Sequence, residues 1–255
     1  FYGGKYKMNY SDDEKPKKKR KARKKKIGRA PREFIVLKNK DKGFHESYKK
    51  RDSPIRFPHP FRLACLGGVN SGKSLTIKNV ILAHARRKPK FREVIVVNPN
   101  TQTREYDDLD ITCLRTTIPA MDEMDQSVKK LVVLDDYDFT NMGKEEMTRL
   151  SELVRYGSTH CNCSVIISHQ SWFRVPKIAK DCCNVFIIWR PKDIDELHTI
   201  GRRVGLKKEE ITQIFKDHMP NWRDSLLINH SIGAPYIYGK NLFKRLNIDE
   251  DSDFE

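Results

Sequence analysis

The sequence predicts an α/β domain in which helices cover both faces of a mainly parallel sheet. Two observations predict this fold class. From residue 61 onward, short apolar runs alternate with segments of helical periodicity, which is typical of βαβ units. The longest strongly apolar run, Val185 to Trp189, has the length of a buried strand and falls short of the roughly 18 residues of a membrane span. We therefore expect one folded domain, with no membrane as its partner.

The charge of the chain is concentrated at one end. The 255 residues carry 50 Lys and Arg against 34 Asp and Glu, a formal net charge of +16. From Lys15 to Lys26, ten of twelve residues are Lys or Arg. Such a run repels itself and has no apolar surface to bury, so we expect disorder. The predicted organisation is a disordered basic tail over residues 1–32, a linker over 33–56, the folded domain over 57–248 and an acidic tail over 249–255.

The predicted elements follow the same alternation. Strands are predicted where aliphatic and β-branched residues form short runs, and helices where apolar residues recur every three to four positions. In the first helix, the expected buried side consists of Leu75, Ile77, Val80, Ile81 and Ala85. The predicted order is a strand over 61–66, a helix over 74–87, strands over 94–97, 111–114 and 130–134, a helix over 144–154, strands over 164–168 and 185–189, helices over 193–203 and 207–217, and weak strands near residues 226 and 236.

A phosphate-binding motif connects the first strand to the first helix. Its eight residues match G-x-x-x-x-G-K-[ST] in the context that the motif requires, after a strand and at the start of a helix. Glycines there allow backbone N–H groups to approach an anion closely. Lys73 is predicted to contact the β- and γ-phosphates of ATP, and the Ser74 hydroxyl to bind Mg²⁺. The residues predicted to bind the nucleotide are Gly67, Gly68, Val69, Asn70, Ser71, Gly72, Lys73 and Ser74.

Two adjacent carboxylates end the strand predicted over residues 130–134. A carboxylate at this edge of the sheet, beside the phosphate loop, can hold Mg²⁺ through water, which suits Asp135. Asp136 is placed to accept a proton from an attacking water. Taken alone, the pattern favours two acids that merely end a strand and cap a turn. Combined with the phosphate loop, the spacing favours a metal and hydrolysis site.

A polar cluster also ends the strand predicted over residues 164–168. Gln170 lies in this cluster, and a neutral amide at a strand end can orient a water for attack on the γ-phosphate. A solvated residue that opens a loop is the alternative interpretation. The first interpretation adds Gln170 to Lys73 and Asp136 as a predicted catalytic residue.

These segments resemble the genome-packaging ATPases of double-stranded DNA viruses. The resemblance rests on residues 67–74 and 131–136 and, above all, on 164–190. In the last segment, Ser-His-Gln is followed by Trp-Phe, then by Pro-Lys, and then by Asn before an apolar strand. The packaging ATPases belong to the FtsK/HerA superfamily of P-loop motors and occur in poxvirus-like large viruses and in Maverick/Polinton elements.

The resemblance covers roughly residues 57–200 and implies a fold, an activity and partners. The implied fold is a RecA-like P-loop NTPase of the ASCE type, a three-layer sandwich. The implied activity is the ATP- and Mg²⁺-dependent transfer of double-stranded DNA into a preformed capsid. The implied assembly is a homo-oligomeric ring, a pentamer or a hexamer, that engages capsid vertex proteins. A helicase-like motor and a non-motor P-loop protein, such as a nucleotide kinase, are the alternative functions.

The sequence departs from the superfamily pattern in two places. In the superfamily, the strand that corresponds to residues 131–136, called Walker B, usually ends in Asp-Glu. The second acid here is Asp136, whose side chain is one methylene shorter. Packaging relatives often carry Arg-His before the fourth strand, where this chain has Thr-His at residues 159–160. The arginine that would complete a neighbouring subunit's site is therefore assigned to Arg155, with Arg149 and Arg174 as the next candidates.

The basic run at residues 15–21 has two functional interpretations besides simple solvation. Lys-Pro-Lys-Lys-Lys-Arg-Lys matches a nuclear-import signal, and the same charges would bind DNA phosphates without sequence specificity. No apolar segment of a secretion signal follows the N-terminal charges, and six cysteines in a chain of this length are not a disulfide framework. We therefore expect an intracellular, non-secreted protein of the host nucleus or of the virus assembly site.

Overall fold

A computed structural model describes residues 46–50, 52–86, 88–100 and 102–248. The predicted tails over residues 1–32 and 249–255 lie outside the described residues, as does the predicted linker up to residue 45. Within the described ranges, no helix is both long and apolar enough to cross a bilayer.

One sheet of nine strands lies at the centre of the described chain. The strands are β1 (Arg62–Leu66), β2 (Glu93–Val97), β3 (Cys113–Arg115), β4 (Lys130–Asp135), β5 (Cys163–His169), β6 (Val185–Trp189), β7 (Ser225–Asn229), β8 (Tyr238–Lys240) and β9 (Lys244–Arg245). Their spatial order is β3-β2-β4-β5-β1-β6-β7-β8-β9. The strands from β3 to β6 in this order pair in parallel, and β7, β8 and β9 add an antiparallel edge. The mainly parallel sheet that the sequence predicts is confirmed.

The central strands bury side chains on both faces. In β1, Leu63 and Cys65 pack into one apolar cluster, while Ala64 and Leu66 pack into the other. Two-sided burial is typical of parallel strands covered by helices and accounts for their continuous apolar runs. The helices are α1 (Lys73–Ala85), α2 (Lys144–Glu152), α3 (Ser158–His160), α4 (Lys177–Cys182), α5 (Ile194–Arg203) and α6 (Lys208–His218), with a π-helical turn (Leu153–Gly157) between α2 and α3.

The register of three parallel strands brings their carboxyl ends together. β5 lies between β1 and β4, so that Leu66 pairs with His169 and Asp135 pairs with Ser168. Because parallel strands point the same way, the segments that follow these strands begin at the same edge of the sheet. This edge therefore receives the phosphate loop, the two adjacent acids and the polar cluster that the sequence predicts.

The buried side of α1 differs from the prediction in two residues. Ile77, Val80 and Ile81 are buried as predicted, but Leu75 and Ala85 are exposed. Leu75 precedes Ile77 by two positions, about 200° around a helix of about 100° per residue, so both cannot face the sheet. Ala85 is the last residue of the helix. The helix α4 was not predicted at all, because its six residues are too few to show a periodicity.

The packed part of the chain begins upstream of residue 57. The Tyr48 hydroxyl donates to the Pro54 carbonyl oxygen at 3.0 Å and accepts from Asn229 Nδ2 at 2.8 Å. Ile55 and Phe57 are buried within the core. Residues 46–50 and 52–56, which the sequence assigns to a linker, therefore contact the domain.

His84 faces the sheet from α1 among aromatic rings. Its ring centroid lies 4.5 Å from that of Phe91 and 5.5 Å from that of Phe61. Both ring nitrogens are buried and have no hydrogen-bond partner among the described residues. Burial lowers the pKa of His84 well below the ordinary value of 6.5, and the nearby cation Lys129 lowers it further. The imidazole is therefore held neutral inside the domain.

We expect His84→Phe to stabilise the domain and to reduce its sensitivity to acid. A phenyl ring removes two unpartnered polar atoms, so the free energy of unfolding should rise by about 1 kcal/mol near pH 7.5. In the wild type, the unfolded chain binds the His84 proton more tightly than the folded chain, so stability falls as the pH drops below about 6.5. Urea unfolding near pH 7.5 and pH 5.5 measures both effects. A variant no more stable than the wild type and equally acid-sensitive would contradict the prediction.

Candidate functional site

The loop between β1 and α1 has the backbone of a phosphate loop. Gly72 has a φ of +106° and Asn70 a φ of +60°, both in the left-handed region. At Gly67, a Cβ atom would lie 2.7 Å from Ser71 Oγ and 2.9 Å from Trp189 Cβ. Glycine is therefore required at position 67 by close packing and at position 72 by conformation.

The ammonium group of Lys73 lies inside this loop. Lys73 Nζ donates to the carbonyl oxygens of Gly67 at 2.9 Å and of Gly68 at 3.0 Å, and the residue is 6% exposed. The loop is also attached to the neighbouring strand, because Gly67 N donates to the His169 carbonyl oxygen at 3.2 Å. The cation is thus fixed at the point where the loop, β1 and β5 meet.

The loop and the start of α1 form a site for an anion. The first N–H groups of an α-helix have no helical acceptor, and they carry the positive end of the helix dipole. The first turn of α1, Lys-Ser-Leu-Thr, contains no acidic residue. Ser71 Oγ is buried and has no partner among the described residues. These donors, together with Lys73, suit the oxygens of a phosphate group.

Asp135 is a buried carboxylate of which one oxygen accepts hydrogen bonds from neighbouring side chains. It ends β4 and is 2% exposed. Its Oδ2 atom accepts from the Tyr106 hydroxyl at 2.7 Å and from Asn98 Nδ2 at 3.4 Å. Its Oδ1 atom and the nearby Ser168 Oγ are both buried, and neither makes a hydrogen bond of good geometry with the described residues. Burial raises the pKa of the Asp135 carboxyl, and the nearby side chains of Tyr106 and Ser168 oppose this rise.

This donor set fits a magnesium ion. Mg²⁺ takes oxygen ligands and is usually held by one or two protein groups together with phosphates and water. The unpartnered oxygen of Asp135 and the Ser74 hydroxyl, in the second position of α1, are oxygens of this kind at the same edge of the sheet. Asp135 thus has the environment of a ligand, and the interpretation of the two acids as a simple turn cap does not account for its buried oxygen.

Asp136 lies beside Asp135 but faces open solvent. Its φ of +46° is unusual for a residue with a side chain, and its N–H donates to the Ser168 carbonyl oxygen at 3.1 Å. Strained backbone of this kind is often found at functional sites. Asp136 lines a cleft of about 730 Å³ together with Gln170 and Arg174. The structure therefore brings the predicted water base and the predicted amide into one cleft.

The predicted arginine does not lie in this cleft. Arg155 precedes β5, whereas Gln170 follows it, so the length of the strand separates the two. The hydrogen bond from Arg203 lowers the pKa of the Asp181 carboxyl at the end of α4, and the charge of Arg155, which lies near that carboxyl, lowers it further. Of the three arginines considered from the sequence, Arg174 is the one that lines the cleft with Asp136. A role for Arg155 in a neighbouring subunit stays a prediction.

Several residues at this edge were missed by sequence reasoning. Asn98 follows β2 directly, and its position after a strand of the same sheet was a usable signal. Tyr106 lies in an irregular segment whose sequence carries no signal for its contact with Asp135. A depression of about 410 Å³ adjoins the phosphate loop and is lined by the predicted loop residues Asn70, Ser71 and Gly72. Its other lining residues were not predicted for the site: Leu75, Thr76, Trp189, Arg223, Ser225, Asn241 and Leu242.

Solved structures similar to this chain include NTPases and ATPases. The genome packaging NTPase B204 from Sulfolobus turreted icosahedral virus 2 in complex with ATP-gammaS is 14% identical, with a TM-score of 0.52 over 76% of this chain and 99% of that chain. The same protein in complex with AMPPCP is 14% identical, with a TM-score of 0.52 over 74% of this chain and 99% of that chain. EssC (ATPases 2 and 3) from Geobacillus thermodenitrificans is 13% identical, with a TM-score of 0.51 over 75% of this chain and 41% of that chain.

At these identities the likeness is one of fold. No protein-family model and no curated protein matches the sequence. The strand order supports the assignment of the fold, because β5 lies between the phosphate-loop strand β1 and the strand β4 that ends in the two acids. The predicted RecA-like P-loop fold is confirmed.

We expect Tyr106→Phe to raise the Mg²⁺ concentration that nucleotide binding requires. Without the hydroxyl, the buried Asp135 carboxyl loses a hydrogen bond to its charged form, so its pKa rises further and the metal competes with a proton. The half-saturating Mg²⁺ concentration for binding of a fluorescent ATP analogue should rise about 3- to 10-fold. The increase should be larger near pH 6 than near pH 8, because the proton is the competitor.

Tyr48→Phe is the matched control, since its hydroxyl bonds the Pro54 carbonyl oxygen far along the chain from Asp135. The half-saturating Mg²⁺ concentration of this control should equal that of the wild type. If Tyr106→Phe also kept the wild-type Mg²⁺ requirement at both pH values, the Tyr106 hydrogen bond would have no role in metal binding at Asp135.

Proposed function

We propose that this chain is an ATP-driven double-stranded DNA translocase that packages the genome of a virus, or of a virus-like element, into a preformed capsid. The observation that carries the proposal is the meeting of Lys73, Asp135 and Gln170 at one edge of the sheet. Three further points support it. The fold is shared with a viral genome packaging NTPase, the sequence resembles that class over residues 57–200, and the N-terminal 60 residues are strongly basic.

ATP would bind with its phosphates on the loop at residues 67–74. Lys73 would exchange its two carbonyl contacts for oxygens of the β- and γ-phosphates. Ser74 and Asp135 would hold Mg²⁺, which neutralises charge on the transferred phosphoryl group when it is bound. The 410 Å³ depression beside Gly72 and Thr76 adjoins the loop and would hold the nucleoside.

Hydrolysis would take place in the 730 Å³ cleft. Gln170 would orient a water molecule, and the Asp136 carboxylate would accept its proton as the water oxygen attacks the γ-phosphorus. The bond between the γ-phosphorus and the bridging oxygen breaks, and ADP leaves. Arg174 in the same chain, or Arg155 from a neighbour, would stabilise the charge of the transition state.

The proposed assembly is a homo-oligomeric ring, a pentamer or a hexamer, around double-stranded DNA and on the vertex proteins of a capsid. The proposed location is the host nucleus or the site of virus assembly. The basic run would serve either nuclear import or nonspecific binding of DNA phosphates. These partners come from the resemblance and from the fold that the chain shares with a packaging NTPase.

We expect Lys73→Ala to abolish ATP turnover and to spare the fold. Loss of a cation at the phosphates removes transition-state stabilisation, so kcat should fall by at least about 100-fold. Lys78→Ala is the matched control, because Lys78 lies in the same helix and pairs with Asp108 on the surface at 2.7 Å. Phosphate release by the two variants, with circular dichroism as a check of folding, measures the effect. Undiminished turnover in Lys73→Ala would overturn the proposed mechanism.

We expect duplex DNA to stimulate the ATPase and to be moved without strand separation. A translocase of this type should displace the third strand of a DNA triplex in an ATP-dependent manner and leave the duplex intact. Separation of the duplex would identify a helicase instead. Transfer of the γ-phosphate to a nucleoside monophosphate, with no response to DNA, would identify a nucleotide kinase. Light scattering should show a ring-sized oligomer under the conditions of DNA stimulation.

A further inference from the structure

A buried carboxylate from α5 lies behind the segment that joins Gln170 to Arg174. Glu196 is in the first turn of α5 and is 6% exposed. The N-terminus of this helix is capped by another residue, because the Asp193 side chain accepts from the Asp195 N–H. The carboxylate of Glu196 is thus available to a different element.

Three donors converge on one oxygen of Glu196. Its Oε1 atom accepts from Ser171 Oγ at 2.8 Å, from Phe173 N at 3.3 Å and from the Trp172 N–H. Burial of a carboxylate is costly unless the carboxylate accepts hydrogen bonds from donors of this kind. The negative charge of the carboxylate strengthens each of these hydrogen bonds. The contact therefore holds residues 171–173 in one turn.

This turn carries a cleft residue at each end. Gln170 precedes it and Arg174 follows it, and both line the cleft with Asp136, as does Ser171 within the turn. The other side of the turn is packed, since Trp172 is buried with its ring 5.9 Å from the Phe186 ring. The turn is also tied to the end of β5, because Ser171 N donates to His169 Nδ1 at 3.0 Å. The directions of the Gln170 and Arg174 side chains hence depend on a turn whose buried contacts include the Glu196 carboxylate and the Trp172 indole.

We infer that Glu196 is a positioning residue for hydrolysis in this cleft, an inference that rests on the proposed function. Glu196 is not among the described residues that line the cleft, so it acts through the turn at residues 171–173. A misplacement of about 1 Å at a reacting centre can lower a rate by about 100-fold. Among the described residues, the phosphate loop makes no hydrogen bond to Glu196, so loss of the Glu196 carboxylate should change kcat and not KM.

The test is steady-state ATP hydrolysis by the full chain with duplex DNA. Glu196→Ala should lower kcat about 10- to 100-fold and leave the KM for ATP within about twofold. Glu196→Gln keeps an oxygen that can accept from the same donors, so its kcat should stay within about threefold of the wild type. Glu210→Ala is the matched control, because Glu210 accepts from Lys207 N at 2.6 Å at the start of α6. It should keep the wild-type kcat.

Hydrogen exchange gives a second readout that needs no activity. The backbone amides of residues 171–174 should exchange faster in Glu196→Ala and at the wild-type rate in Glu210→Ala. If Glu196→Ala does not fold, Ser171→Ala replaces it and should lower kcat about two- to fivefold with KM unchanged. An unchanged kcat in the alanine variant tested, a rise in KM alone, or a Gln variant as defective as Ala would overturn the inference.

Failure of the inference and failure of the proposed function give different results. A wild-type chain that hydrolyses ATP, with unchanged kcat in the Glu196 variants, refutes only the positioning role. A wild-type chain with no hydrolysis at all refutes the proposed function. In that case, the exchange of residues 171–174 still decides whether Glu196 holds the turn.

Discussion

The position of β5 between β1 and β4 is the constraint on which the site depends. Its hydrogen bonds to both neighbours place Leu66 opposite His169 and Asp135 opposite Ser168. Side chains in a strand alternate between faces, so a slip of one residue would turn Asp135 to the other side of the sheet. The continuous burial of these three strands on both faces opposes any such slip. The geometry of the polar edge is thus set by the apolar core beneath it.

Charged groups are buried at this edge, and each is stabilised by specific contacts. Lys73 donates to two carbonyl oxygens of the loop that it closes, and Asp135 accepts from Tyr106 and Asn98. An unpaired charge in such a place would cost several kcal/mol. The contacts of Lys73 are with neutral oxygens, which charged phosphate oxygens can replace at a gain in electrostatic energy. The loop therefore holds its lysine in place without binding it so strongly that a nucleotide could not compete.

The sequence predicted the parts of the site that follow buried strands, because strand ends and a glycine-rich motif leave local signals. Gly72, Asp135 and Gln170 are examples. The parts placed by tertiary packing left none: Tyr106 comes from an irregular segment, and Glu196 from a helix whose own cap is another residue. Leu75 was assigned to the wrong side of α1 because apolar residues occur on both sides of that helix. Which apolar residue faces the sheet is settled by packing and not by composition.

The residues suited to phosphate and metal differ in burial from the residues proposed to act on water. Lys73 and Asp135 are buried, whereas Asp136, Gln170 and Arg174 are exposed around an open cleft. The groups suited to phosphate and metal are thus buried within the chain, while the groups proposed to activate water face outward. A closed ring uses heterologous contacts, in which two different surfaces of each subunit meet. In the ring that we propose, the open cleft would be one of these surfaces. A surface carrying a basic side chain such as Arg155 would be the other, and hydrolysis would then depend on assembly.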